Sequence, residues 1–145
     1  MKFLDLNGLN HFFTKIKASF GIAIVSNSDY KTELDNEKNI NIPFVANHQI
    51  VKMDYDHHIN IYNWFQGASK GGILEIVFAG AGGGNTYCRS KDGNNYMYRT
   101  KLLSSVITFQ SISALPTAYN TYTRLIKVDD DKLILAMLYQ RGKQN

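Results

Sequence analysis

Residues 72–79 read Gly-Ile-Leu-Glu-Ile-Val-Phe-Ala, and this nearly unbroken apolar run decides the fold class. A run of this length predicts a strand at the centre of a sheet, with both of its faces buried. We therefore expect the rest of the chain to supply neighbouring strands on either side of it.

Alternation of apolar and polar residues around this run predicts those neighbours. With the segment 86–100, they make about eight strands at intervals typical of a sandwich. The sequence thus predicts a mainly β protein, an antiparallel β-sandwich or jelly-roll-like domain. The predicted neighbouring strands are Gln49–Asp56, Ile59–Phe65, Leu103–Gln110, Tyr122–Val128 and Lys132–Tyr139.

Two turns divide the later strands into hairpins. Asp129-Asp130-Asp131 separates the last two strands, and we expect their buried side to carry Ile126, Val128, Leu133, Leu135 and Met137. Asp92-Gly93 is a strong hairpin signal, because a tight turn needs residues that tolerate positive φ. If these two residues form the loop, one face of the hairpin carries Tyr87, Arg89, Tyr96 and Tyr98.

That tyrosine face is the most informative surface that the sequence predicts. Tyrosines beside an arginine stack on sugar rings or nucleobases, and they are equally common in subunit interfaces. Opposite pairing would place Cys88 and Met97 on the other side of the hairpin, in the core. The alternatives of core, interface and surface-ligand site stay open.

A helical pattern precedes the strands. Leu6, Leu9, Phe13, Ile16 and Phe20 follow a 3-4-3-4 spacing, which is the seam of a short coiled coil. A helix of about fourteen residues is marginal alone, so it must pack on its own sheet or on copies of itself. We predict an anchor and oligomerisation helix at 1–21, a polar linker at 22–41 and the sandwich at 42–145.

Composition excludes several classes of protein. The 145 residues are 44% hydrophobic and 19% charged, too apolar for a disordered chain. One cysteine excludes an intrachain disulfide framework. Asp5 and Asn7 interrupt any signal-peptide core, and no apolar run is long enough for a membrane helix. We expect synthesis in the cytoplasm and no membrane insertion.

No motif points to catalysis, a metal or a cofactor. The acidic and imidazole side chains of 54–58 would point to opposite faces of a strand, and the triplet 129–131 lacks the spacing of a calcium loop. The glycine run at 79–85 is not followed by the lysine of a phosphate loop. We therefore predict a protein that is not an enzyme, and a sugar-processing enzyme would need two carboxylates facing one cleft.

Residues 3–17 read Phe-Leu-Asp-Leu-Asn-Gly-Leu-Asn-His-Phe-Phe-Thr-Lys-Ile-Lys. This stretch resembles the N-terminal leader of fibre and other virion proteins of tailed phages of gut bacteria. The Asp-x-x-Gly-Leu and Lys-Ile-Lys elements carry the resemblance, which covers about a tenth of the chain. The body of the chain resembles no family.

The resemblance implies a virion structural protein whose leader attaches to other capsid or tail proteins. It implies a homotrimer with helices on the axis, no cofactor and no catalysis. The short chain favours a small head-fibre or decoration subunit over a full tail fibre, with a host-surface glycan as the external ligand. The alternative is a basic β-barrel that binds single-stranded nucleic acid, which the net charge of +4 and the aromatic content allow.

Overall fold

A computed structural model describes residues 6–78, 84–117 and 121–140, apart from the side chains at 14, 15, 17–20, 117 and 140. The described chain contains two α-helices, one short 3₁₀ helix and eleven strands. The helices are α1 (Leu6–Phe20), the 3₁₀ helix (Asn27–Tyr30) and α2 (Tyr62–Gly67). The strands are β1 (Ile22–Ser26), β2 (Ile40–Asn41), β3 (His48–Met53), β4 (Ile59–Asn60), β5 (Ile73–Phe78), β6 (Gly84–Tyr87), β7 (Met97–Leu103), β8 (Val106–Ser111), β9 (Leu115–Thr117), β10 (Thr121–Asp129) and β11 (Lys132–Gln140).

The strands form two sheets, so the mainly β class with an N-terminal helix is confirmed. The large sheet has the order β1-β3-β5-β10-β11-β7-β8, and the small sheet has the order β2-β4-β6-β9. Both sheets are mixed rather than wholly antiparallel. Parallel ladders join β1, β3 and β5 in the large sheet and β2, β4 and β6 in the small one.

Side chains from both sheets form one hydrophobic core, in a sandwich-like arrangement. Leu74, Val51 and Leu125 enter it from the large sheet, and Ile40 and Ile59 enter it from the small sheet. All five side chains are fully buried. Burial of one such side chain stabilises the fold by about 1.5–3 kcal/mol.

The central strand β5 is confirmed, with one correction. It lies between β3 and β10, and its residues Leu74 and Ile76 are buried in the core. Its other face is only half-buried and carries Glu75 among polar neighbours, so the prediction of two buried faces is wrong.

The segment 22–41 is part of the fold rather than a linker. Its first residues form β1, which pairs in parallel with β3, and Ile40 pairs with Ile59 of the small sheet. Asn27 holds the following turn: its amide donates to Tyr55 O (2.7 Å) and its Oδ1 accepts from Asp54 N (3.0 Å). The polar composition was misleading because many of these polar groups bind backbone within the domain.

The predicted strand Ile59–Phe65 ends after two residues and continues as α2. Asn60 explains the change, because its Oδ1 accepts the backbone N–H of Tyr62 (3.0 Å) and so turns the chain into a helix. The helical turn buries both Trp64 and Phe65. Lys127 Nζ, itself buried, donates to the carbonyls of Phe65 and Ala68 (both 2.8 Å) at the end of this helix.

The Asp92-Gly93 turn is present, but its register differs from the prediction. Gly93 N donates to Ser90 O and Ser90 N donates to Asn94 O, so that Arg89 lies opposite Asn95 rather than Tyr96. Gly93 has φ +82°, which is typical of a bulged turn that contains one more loop residue than a two-residue turn. Cys88 and Met97 are both buried, as predicted.

Two further hairpins complete the large sheet. The predicted strand Leu103–Gln110 is interrupted by a turn at Ser104-Ser105, which joins β7 to β8. The hairpin of β10 and β11 is confirmed, but its buried side is partly different from the predicted one. Leu133 is buried as expected, whereas Val128 and Met137 are exposed. On β10 the core face carries the odd-numbered residues, including Leu125 and Lys127, so the predicted alternation is displaced by one residue there.

Candidate functional site

The apolar seam of α1 is open to solvent. The exposed fractions are 72% for Leu6, 37% for Leu9, 57% for Phe13 and 39% for Ile16. The side chain of Phe20, the fifth predicted seam residue, lies outside the description. The helix therefore presents an uncovered apolar stripe directly before the first strand of the large sheet.

A second apolar surface is the hairpin of β7 and β8. Leu102, Leu103, Val106, Ile107 and Phe109 are all more than half exposed. This hairpin forms one edge of the large sheet, and β1 with its exposed Ile22 and Ile24 forms the other. Exposed edges of this kind are typical of surfaces that pair or pack with another chain.

A cleft of about 830 Å³ lies beside the small sheet. The carboxyl ends of the parallel strands β2, β4 and β6 meet there, where Asn41, Asn60 and Tyr87 stand in one row across the sheet. Ligands commonly bind at the carboxyl ends of parallel strands. We call this site the Asn/Tyr cleft; its lining residues are Leu34, Asp35, Asn36, Glu37, Asn39, Asn41, Asn60, Tyr62, Asn63, Gln66, Tyr87, Arg89, Ser90, Lys91, Asp92, Gly93 and Tyr96.

Three of the four predicted tyrosine-face residues lie in this cleft. The Arg89 guanidinium carbon lies 4.3 Å from the centre of the Tyr87 ring, and Tyr96 packs 5.4 Å from the ring of Tyr62. Tyr98 does not join them, because β7 crosses into the large sheet and pairs there with Ile134. The prediction that Tyr98 shares one continuous face with the other three residues is therefore wrong.

Fixed polar groups form the floor and one wall of the cleft. Asp35 Oδ2 accepts from the amides of Asn39 and Asn60 (both 3.0 Å), and its Oδ1 accepts from the backbone N–H of Asn39 (2.7 Å). Burial alone would raise the pKa of Asp35, but these hydrogen bonds and one from the Glu37 backbone lower it below its ordinary value. Arg89 Nη1 donates to Glu37 Oε2 (3.0 Å), which fixes the guanidinium over Tyr87.

The outer face of the large sheet carries a separate polar cluster around Glu75. His48 Nε2 lies 2.5 Å from Glu75 Oε2, while the Tyr122 hydroxyl donates to Oε1 and Arg124 Nη2 lies 3.3 Å from it. The hydrogen bond from Tyr122 lowers the pKa of Glu75 against the effect of burial, and His48 and Arg124 add to the lowering. Burial raises the pKa of the Tyr122 hydroxyl, and its hydrogen bond to the Glu75 carboxylate raises that pKa further.

The histidines and acids of 54–58 bind different parts of the chain. His57 Nε2 donates to Lys38 O (2.8 Å), whereas His58 Nδ1 accepts from Asn85 N (2.8 Å). In the described ranges, no group of three histidine, cysteine or acidic residues could hold a metal ion. Among the described residues, no helix combines the length and the apolar character that a membrane span needs.

The surroundings of the Cys88 thiol do not favour a role as a nucleophile. It is enclosed in the core, and burial raises the pKa of the thiol above its ordinary value, although nearby Lys127 opposes the shift. The nucleophilic form is therefore disfavoured at neutral pH. The glycine run, apart from Gly84 and Asn85, falls outside the described residues.

Much of the Asn/Tyr cleft differs from what the sequence predicts. The polar composition predicts a linker at Asp35 and Glu37, and the alternating pattern predicts a strand at Tyr62. The available signals were local: Asp35 precedes Asn39 by four residues, and Asn60 stands two residues before Tyr62, both spacings at which side chains bind nearby backbone.

Comparisons with known proteins add no relative. No family model matches the chain, and searches of the curated proteins and of the solved structures find no match either.

Proposed function

We propose that this chain is a structural subunit of a phage virion, most simply a small head-fibre or decoration protein. Helix α1 joins copies of the chain and attaches them to other virion proteins, while the β domain faces outward. The observation that supports assembly is the uncovered apolar stripe of Leu9, Phe13 and Ile16 on α1.

The stability of a helix of this length supports self-association. α1 has fifteen residues, and isolated helices of that length are marginal in water. The four seam residues that the structure describes, Leu6, Leu9, Phe13 and Ile16, are exposed rather than packed on the domain, which favours stabilising contacts from another chain. The 3-4-3-4 spacing suits a parallel bundle in which each apolar side chain enters a hole on its neighbours.

The exposed β7–β8 hairpin offers a second contact between copies. Its apolar residues extend the surface available for burial beyond the helix. A specific interface buries about 1,000 Å² or more in total, which a two-heptad helix alone reaches with difficulty. We therefore propose a homotrimer in which α1 supplies the axis and the domains contribute further contacts.

Attachment to the particle follows from the leader resemblance at residues 3–17, whose first three residues lie outside the described chain. The proposal gives α1 two neighbours: its own copies and a capsid or tail protein. It includes no catalytic step and no cofactor, and it places the mature protein in the virion.

Light scattering of the purified full chain tests the assembly. The wild type should have three times the mass of one chain, and the double variant Leu9→Glu/Phe13→Glu should be monomeric because it places charge in the seam. His11→Glu is the matched control, because position 11 lies on the opposite side of the helix and should leave the mass unchanged.

A monomeric wild type at micromolar concentration would contradict the proposed axis. The same conclusion would follow if the seam variant stayed trimeric while its circular dichroism showed a folded domain. Loss of incorporation into particles on Leu9→Glu/Phe13→Glu, with full incorporation of His11→Glu, would support attachment through this end of the chain.

A further inference from the structure

We propose that the Asn/Tyr cleft binds an uncharged saccharide. This inference goes beyond assembly and depends on residues of the β domain, separate from α1. Its success or failure is therefore independent of the oligomeric state. Four features carry it: aromatic faces, free amides, the balance of charge and the state of the carboxylates.

Aromatic rings in the cleft offer surfaces for the apolar face of a sugar. Tyr62 and Tyr96 pack together at an angle of 41°, and each is partly exposed. Tyr87 stands in the row of strand ends, its position fixed by Arg89 and by the Asn85 amide, which donates to its hydroxyl (3.1 Å). Rigid tyrosines of this kind supply contact area at a low cost in side-chain entropy.

Amide side chains supply the matching polar contacts. In the part of the chain that the structure describes, the side-chain amides of Asn36, Asn41 and Asn63 have no hydrogen-bond partner, and all three line the cleft. An amide presents a donor and an acceptor together. Neighbouring hydroxyls of a sugar ring present the same pair, so these amides suit a polyhydroxyl ligand.

The charges of the cleft select against polyanions. Its lining contains three carboxylates and two cations, and one of those cations, Arg89, is paired with Glu37. A nucleic acid or a sulfated glycan would need free cations to neutralise its own charge. An uncharged ligand meets no such requirement.

The carboxylates favour binding over hydrolysis. Glycoside cleavage needs a carboxylic acid that stays protonated near neutral pH. The hydrogen bonds to Asp35 lower its pKa instead, and Glu37 is held by Arg89. The cleft volume of about 830 Å³ lies within the range of small-ligand sites, which is about 300–1,000 Å³.

Calorimetric titration of the full chain tests the proposal. The uncharged probes are oligosaccharides of glucose, of galactose and of N-acetylglucosamine, each raised to about 10 mM to reach weak affinities. The charged probes are a sulfated galactose oligosaccharide and oligo-dT. We expect at least one uncharged probe to bind and the charged probes to bind more weakly.

Variants then locate the binding. Tyr87→Ala and Asn63→Ala should each weaken the affinity by about five- to tenfold, because one stacking face or one amide pair is lost. Tyr87→Phe keeps the ring and should keep most of the affinity. Tyr55→Ala removes an exposed tyrosine that lies outside the cleft lining, and it should leave the affinity unchanged.

The proposal is overturned if none of the uncharged probes binds to folded protein, or if only the sulfated probe or oligo-dT does. It is also overturned if an uncharged probe binds but Tyr87→Ala and Asn63→Ala leave the affinity unchanged while both variants remain folded. Release of a shorter sugar from a bound probe would show hydrolysis and contradict the assignment as a binding site.

Discussion

Two parts of the large sheet carry similar residues in opposite surroundings. In β5, Leu74 and Ile76 face the core and are almost completely buried. In the hairpin of β7 and β8, Leu102 is 70% exposed and Ile107 is 69% exposed. The same residue types therefore stabilise the domain in one place and lie open to solvent in the other.

The largest expected effect tests this contrast with one leucine from each region. Leu74→Ala should lower the free energy of unfolding by about 3 kcal/mol, because it removes buried methyl groups and leaves a cavity. Leu102→Ala should change it by less than about 0.5 kcal/mol in a monomeric background. Urea denaturation measures both, and equal losses would show that the hairpin is packed within the domain.

Buried and exposed asparagines sharpen the comparison for polar side chains. Asn27→Ala should cost about 2 kcal/mol, because the N–H groups of Asp54 and Tyr55 lose their acceptor inside the fold. Asn63→Ala, on the exposed side of α2, should cost less than about 0.5 kcal/mol. If both variants unfold at the same urea concentration as wild type, the turn after β1 does not depend on Asn27.

A gain in stability is expected at the exposed hairpin. Ser104 and Ser105 have φ values of 48° and 71°, in the left-handed region that serine rarely adopts. The double variant Ser104→Asn/Ser105→Gly fits this turn and should add about 1 kcal/mol. Amide exchange in β7 and β8 should slow accordingly, while Ser113→Gly should bring no gain.

The smallest effect concerns acid, because the cluster around Glu75 is partly exposed and water screens it. The folded-state pKa of Glu75 is lowered, so its stabilisation is present above the ordinary carboxyl pKa and disappears as the pH falls through the folded value. Glu75→Gln should be less stable than wild type at pH 7, and the two unfolding curves should converge in acid. A constant difference between them at every pH would exclude this linkage.

The parts that sequence predicts well are those determined by nearby residues. The helix α1 and the hairpin of β10 and β11 are local, and their patterns indicate them without knowledge of the rest. Even the Asp92-Gly93 hairpin, with a wrong register, brings Arg89 and Tyr96 to one region. The residues of the turn itself are enough to bring these two side chains together.

The parallel ladders could not be predicted in the same way. Ile24 pairs with Ile50, and Asn60 pairs with Tyr87, each across about 26 residues with no turn to set the register. The Asn/Tyr cleft lies at the ends of such strands, so its composition depends on pairings that the sequence does not display. For the same reason Tyr98 was misplaced, since nothing local shows that β7 leaves β6 for the other sheet.

The sheet order also determines when the domain can form during synthesis. The hairpin of β10 and β11 lies between β5 and β7, although it is made after both of them. A chain that stops at residue 120 has β5 and β7 but no strands to join them. Non-local pairing of this kind makes folding slow, because the chain loses the entropy of closing a long loop before the stabilising contacts form. Prematurely terminated chains therefore carry α1 without a closed domain. If copies of the chain associate through this helix as we propose, such chains would enter the assembly and add an unfolded body to it.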